Sequence, residues 1–159
     1  INYNDFSIES ALETPQGNMG MSIANGAGKM TMMGQEQALP PAMIAPMVKE
    51  VKNSYVNIAR IYSTLDAEYT GTETIDGTDY VVLKVINDGA TTYLLDSKTA
   101  LPYLSRASAF NPQMGKSVTT ETTFSNWKVV DGVAYAHATV TTADGTKASS
   151  STVESIKVN

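Results

Sequence analysis

The chain carries one histidine, His137, and no cysteine, so the chemistry open to it is narrow. A Ser-His-Asp triad would have to use His137. The nearest approach to a nucleophile elbow, Gly20-Met21-Ser22-Ile23-Ala24, lacks the second glycine that lets a strand turn sharply into a helix. A two-histidine zinc motif cannot be written with one histidine, and thiolate catalysis, cysteine-rich zinc sites and disulfides are excluded outright. Asn25-Gly26-Ala27-Gly28-Lys29 invites a phosphate-loop reading, but that motif needs glycine where Ile23 stands and Ser or Thr where Met30 stands. A Gly-rich turn between strands accounts for it better. The four Asp-Gly aspartates have the spacing of hairpin turns, not of a calcium loop. The expectation is a chain with no catalytic residue, no metal ligand set and no cofactor.

Seven of the eight methionines fall between Met19 and Met47: Met19, Met21, Met30, Met32, Met33, Met43 and Met47. Thioethers are soft ligands that select Cu(I), and Met-x-Met spacing suits such a site. No histidine accompanies them, however. Unbranched, polarizable methionine also lines adaptable apolar surfaces and cavities, and that reading, with plain core filling, is the one favoured. His137, beside Tyr135 in a strand pattern, reads as a structural histidine. A net charge of −5 and a pI near 4.8 argue against nucleic acid, which demands a basic patch. No apolar run reaches the roughly 18 residues of a membrane span, and the first residues do not read as a signal peptide. The start at Ile1 points to an excised piece or a mature product.

The elements that must position these residues are legible in outline. With 159 residues the expectation is one domain over 1–159. Residues 1–38 read as hairpins. Leu39-Pro40-Pro41 then stops the strand, and Met43, Ile44, Met47, Val48, Val51, Tyr55, Ile58, Ala59 and Tyr62 recur at helical spacing. This predicts one long amphipathic helix over 40–62, with Pro46 either kinking it or marking its true start. Seventeen of the 19 threonines lie from Thr64 onward, mixed with valine and tyrosine and punctuated by Asp76-Gly77, Asp88-Gly89, Asp131-Gly132 and Asp144-Gly145. Asp-Gly between alternating hydrophobics is a strong hairpin signal. Strands are expected at 66–75, 78–86, 90–96, 101–109, 118–130, 133–142 and 146–158, joined as an antiparallel meander over 64–159. Tyr80 to Ile86 is apolar on both faces, so it should be covered on both sides. The row Ala134, Ala136 and Ala138 leaves room beside the sheet for a close helix or a cavity.

The order of these segments carries a resemblance. The run Gly34-Gln35-Glu36-Gln37-Ala38-Leu39-Pro40-Pro41 leads into the helix. Gly71-Thr72-Glu73-Thr74-Ile75-Asp76-Gly77 follows, then Tyr93-Leu94-Leu95-Asp96-Ser97-Lys98-Thr99-Ala100-Leu101-Pro102, then Phe124 to Val133, then the ending Val153 to Asn159. Over about residues 28–159 the chain resembles the lipoprotein-carrier (Lol-like) superfamily of bacterial envelope proteins. It looks especially like the non-catalytic domain that follows some pitrilysin/insulinase-type zinc peptidases. The resemblance implies an incomplete antiparallel β-barrel with a helix in its mouth, a periplasmic or cell-envelope location, and, in carrier members, an apolar cavity for acyl chains. If the parent is a peptidase, its zinc motif lies outside this chain.

The expectation is therefore an α+β fold: a curved antiparallel sheet, an incomplete β-barrel, with one long amphipathic helix on its concave face. Met43, Met47, Val51 and Tyr55 from the helix, and Ala134, Ala136 and Ala138 from the sheet, are expected to line a site for a lipid, an acyl chain or a hydrophobic peptide. The alternative is a structural domain that docks against a zinc peptidase or another envelope protein.

Overall fold

Alternation decides the first sheet. In β1 (Ile8–Thr14), β2 (Gly17–Ala24), β3 (Ala27–Met32) and β4 (Gln35–Ala38), the antiparallel register sets Ile8 across from Ile23, Ile23 across from Gly28, and Met21 across from Met30. One face therefore gathers the apolar residues, while Glu9, Ser22, Lys29 and Glu36 point to the other and are exposed. The computed structural model describes residues 1–14, 17–87, 89–111 and 115–156. Pro15 and Gln16 within the expected N-terminal hairpins, Asp88 of the second Asp-Gly pair, and the end of the last expected strand at 157–158 lie outside them.

Residues Ile1–Tyr62 and Ser63–Asn159 form two compact units. In the first, helix α1 (Pro41–Lys52) packs on β3. Its core is Ile8, Ile23, Leu39, Ile44 and Val51, with Tyr3, Phe6, Met21, Met30, Met47 and Val48 half-buried against it. Gly28 makes this packing possible. A β-carbon there would sit 3.0 Å from Leu39 Cδ1 and 3.2 Å from two Ile44 carbons. The Leu39 amide donates to the Gly28 carbonyl at 2.8 Å, which fixes where the helix begins. Pro41 opens α1, so Pro46 lies inside the helix and does not mark its start.

The long helix is in fact two. After Lys52 the chain breaks at Asn53-Ser54 and resumes as α2 (Tyr55–Arg60). Ser and Asn compete for backbone groups, and here they do so in concert. Ser54 Oγ donates to the Val51 carbonyl at 2.8 Å and accepts from the Asn57 amide. Asn57, 1% exposed, donates from Nδ2 to the Lys52 carbonyl at 2.8 Å. Arg60 then reaches back to the Tyr3 carbonyl and to Asn4 Oδ1, tying down the N-terminal segment.

The second unit is a seven-stranded antiparallel meander: β5 (Asp66–Ile75), β6 (Thr78–Asn87), β7 (Gly89–Asp96), β8 (Pro102–Asn111), β9 (Lys116–Val130), β10 (Val133–Ala143) and β11 (Thr146–Thr152). Asp76-Gly77, Asp131-Gly132 and Asp144-Gly145 each place two consecutive residues at positive φ, the signature of the type I′ hairpin. Val85 and Tyr93 are buried on one face, and Leu94 and Leu104 on the other.

The incomplete barrel does not hold. Neither sheet is closed or strongly curled: the first runs β1-β2-β3-β4 and the second β11-β10-β9-β8-β7-β6-β5, each open at both ends. The physical reason is visible at β11, where Thr-Lys-Ala-Ser-Ser-Ser-Thr is exposed throughout and presents no apolar face to close upon. In place of the long helix expected on the concave face of one curved sheet, α1 packs on the small sheet, at β3.

Two glycines of the first sheet test the packing. Gly28→Ala should destabilise by about 1–2 kcal/mol in urea unfolding, since overpacking a core (about 1–3 kcal/mol) outweighs the gain from a stiffer unfolded chain (about 0.4–1 kcal/mol). Gly20→Ala should be neutral or slightly stabilising, because its β-carbon meets nothing closer than 3.7 Å. Asn57→Ala should cost about 1–3 kcal/mol by leaving the Lys52 carbonyl without its partner.

Candidate apolar-ligand site

The residues expected to line a ligand site lie on different elements. Met43, Met47 and Val51 are on α1, Tyr55 is on α2, and Ala134, Ala136 and Ala138 are on β10 of the second unit. Val51 is buried in the core of the first unit and Met47 is half-buried against it. Met43, one residue before the buried Ile44, is 52% exposed. Tyr55 is half-buried. On β10, Ala136 is buried and its neighbours Ala134 and Ala138 are half-buried. Ala136 lies directly across from Trp127 on β9, so the small side chains of this row accommodate an indole.

The first unit also carries apolar surface beyond its core. Met32 is 48% exposed and Met33 is 75% exposed, whereas Ile23 and Ile44 in the core of the same unit are closed off from water. An open depression of about 310 Å³ is lined by Met30, Met32, Gln35, Glu36 and Gln37. Its lining combines flexible thioethers with two amide groups and the Glu36 carboxylate.

Polar groups of the second unit are committed to structure. His137 is buried, and its Nδ1–H donates to the Val153 carbonyl at 2.7 Å, while the Val153 amide donates to the His137 carbonyl. The imidazole thus clasps the chain that leaves β11. Its Nε2 is buried with no hydrogen-bond partner among the described residues. Arg106 makes a two-pronged contact with Glu73, both bonds at 3.2 Å, and donates from Nε to Glu121 at 2.6 Å. These hydrogen bonds, those to Glu73 foremost, raise the guanidinium's pKa further above its ordinary value. The clamp joins β5 to β8 and β9 past the two strands between them.

Among the described residues no group of three or more His, Asp or Glu side chains could hold a metal ion, and no helix is long and apolar enough to cross a membrane. Sequence reasoning missed the Arg106 clamp. Its signal was faint: Arg106 is one of two arginines in the chain, but its partners depend on hairpin register.

No family model and no curated protein matches the chain. Two solved structures are similar. One is a domain named for outer membrane lipoprotein sorting, from Vibrio parahaemolyticus, at 13% identity and a TM-score of 0.45 over 95% of this chain and 78% of that one. The other is a LolA superfamily protein from Nitrosomonas europaea, at 11% identity and a TM-score of 0.45 over 89% of this chain and 68% of that one.

The clamp makes a prediction. Arg106→Lys keeps the charge but loses the fork that engages Glu73 with two bonds. It should destabilise the chain by about 1 kcal/mol, a figure already reduced for the partial exposure of all three side chains. In a double-mutant cycle Arg106 and Glu73 should couple, whereas the exposed Lys29–Glu36 pair, at 3.2 Å, should show no measurable coupling.

Proposed function

We propose that the chain is a non-enzymatic domain of the bacterial envelope that holds an apolar ligand, an acyl chain or a hydrophobic peptide segment, on the methionine-rich surface of its first unit. The observation that carries this reading is the exposure of Met32, Met33 and Met43 beside a core that is already closed without them. Large apolar side chains left in water next to a filled core are available to a partner. Thioether side chains, with three rotatable bonds, adapt to acyl chains of varied shape. Met43 contacts the ligand directly, Met47 backs it, and Val51 anchors the helix that presents both. Tyr55 extends this surface onto α2. Ala134 and Ala138, half-buried on either side of the buried Ala136, offer a smaller apolar surface on the second unit. The envelope location and an accessory role beside a zinc peptidase are supported by the resemblance in sequence order alone.

A fluorescent fatty-acid probe tests the reading. Binding in the micromolar range, displaced by oleate, is expected, and Met43→Glu should weaken it at least fivefold without changing the unfolding midpoint, because the side chain is already exposed. Absence of displaceable binding in the parent chain would overturn the reading.

A further inference from the structure

The four methionines of β2 and β3 are in register. Met19 lies directly across from Met32, and Met21 directly across from Met30. Residues two apart in a strand share a face, and so do direct cross-strand partners, so all four side chains leave the same face of the small sheet. It is the face that carries the core, since Met21 and Met30 pack against it. Directly opposed residues have their β-carbons about 4.5–5.5 Å apart, within easy reach of a shared ion for side chains as long as methionine. Met30 and Met32 also border the open depression, which gives an ion a route in. The residues across from this quartet on the flanking strands are neutral: Ser10 faces Met21, Gln37 faces Met30 and Gln35 faces Met32. Glu36 also borders the depression, but its carboxylate is ion-paired with Lys29 at 3.2 Å, and neutral sulfur ligands disfavour Mg²⁺, Ca²⁺ and Zn²⁺ and favour a soft monovalent ion.

From this register we infer that Met19, Met21, Met30 and Met32 form a thioether site for a soft monovalent d¹⁰ cation, Cu(I) or Ag(I). The site goes beyond the apolar-ligand reading and stands on a different observation, the cross-strand pairing of sulfur ligands, so either can fail without the other. Binding involves no redox step and no proton release, because a thioether has no proton to lose. Its affinity should therefore be indifferent to pH where a histidine or carboxylate site would not be.

Silver nitrate in chloride-free buffer is the probe, read by native mass spectrometry and by the methyl resonances of ¹³C-labelled methionine. One Ag⁺ per chain is expected, with shifts at four methionine methyls and affinity unchanged between pH 7.5 and 4.5. Met19→Leu and Met32→Leu preserve side-chain size and should each weaken binding at least tenfold, and the pair together should abolish it. Met43→Leu should leave it unchanged. The proposal is overturned if no stoichiometric Ag⁺ binds, if Met19→Leu with Met32→Leu binds as tightly as the parent, or if binding is lost on acidification or in His137→Gln.

Discussion

The first unit depends on a missing side chain. Because Gly28 offers no β-carbon, Leu39 and Ile44 close onto β3 at distances where any other residue would make them give way by a few tenths of an ångström. The contact sets where α1 starts, since Leu39 is hydrogen-bonded to Gly28 just before the two prolines that open the helix. Placing Ile44 also places Val51 two turns later in the same core. From there Ser54 and Asn57 turn the chain into α2, and Arg60 returns to bind the N-terminal segment. A chain of local decisions, each with a named hydrogen bond, thus follows from one close approach.

The second unit was the most legible part of the sequence. Each Asp-Gly pair supplies two residues that tolerate positive φ, and the alternation on either side leaves little freedom in where strands begin. The β5 to β10 strands accordingly lie within about two residues of their expected bounds. β11 instead stops at Thr152, where Val153 passes to His137. Closure was not legible, because it depends on whether the first and last strands find each other, which no local pattern encodes. The polar, exposed β11 shows why they do not. The break in the helix was hidden for a different reason. Apolar periodicity continues through Tyr55 and Ile58, and it masks the capping preference of Asn53 and Ser54.

The candidate surface was legible in composition but not in arrangement. Methionines crowd residues 19 to 47 whatever the fold, yet only the register of β2 on β3 shows that four of them face one another while Met33 sits on a turn. Alternation alone cannot supply that, since a shift of one residue would send a strand's side chains to the opposite face. His137 reads in the sequence as a structural histidine, and its Nδ1 is taken by the Val153 carbonyl, which ties the chain leaving β11 to the middle of β10.

The central claim is that the exposed methionines of the first unit hold an apolar ligand. Native mass spectrometry of the chain produced in a bacterial periplasm and released without detergent tests it most directly. The account predicts a population heavier than the bare chain by the mass of a fatty acid or lipid, which organic extraction removes. A bare-chain mass alone, unchanged after incubation with excess oleate, would contradict it.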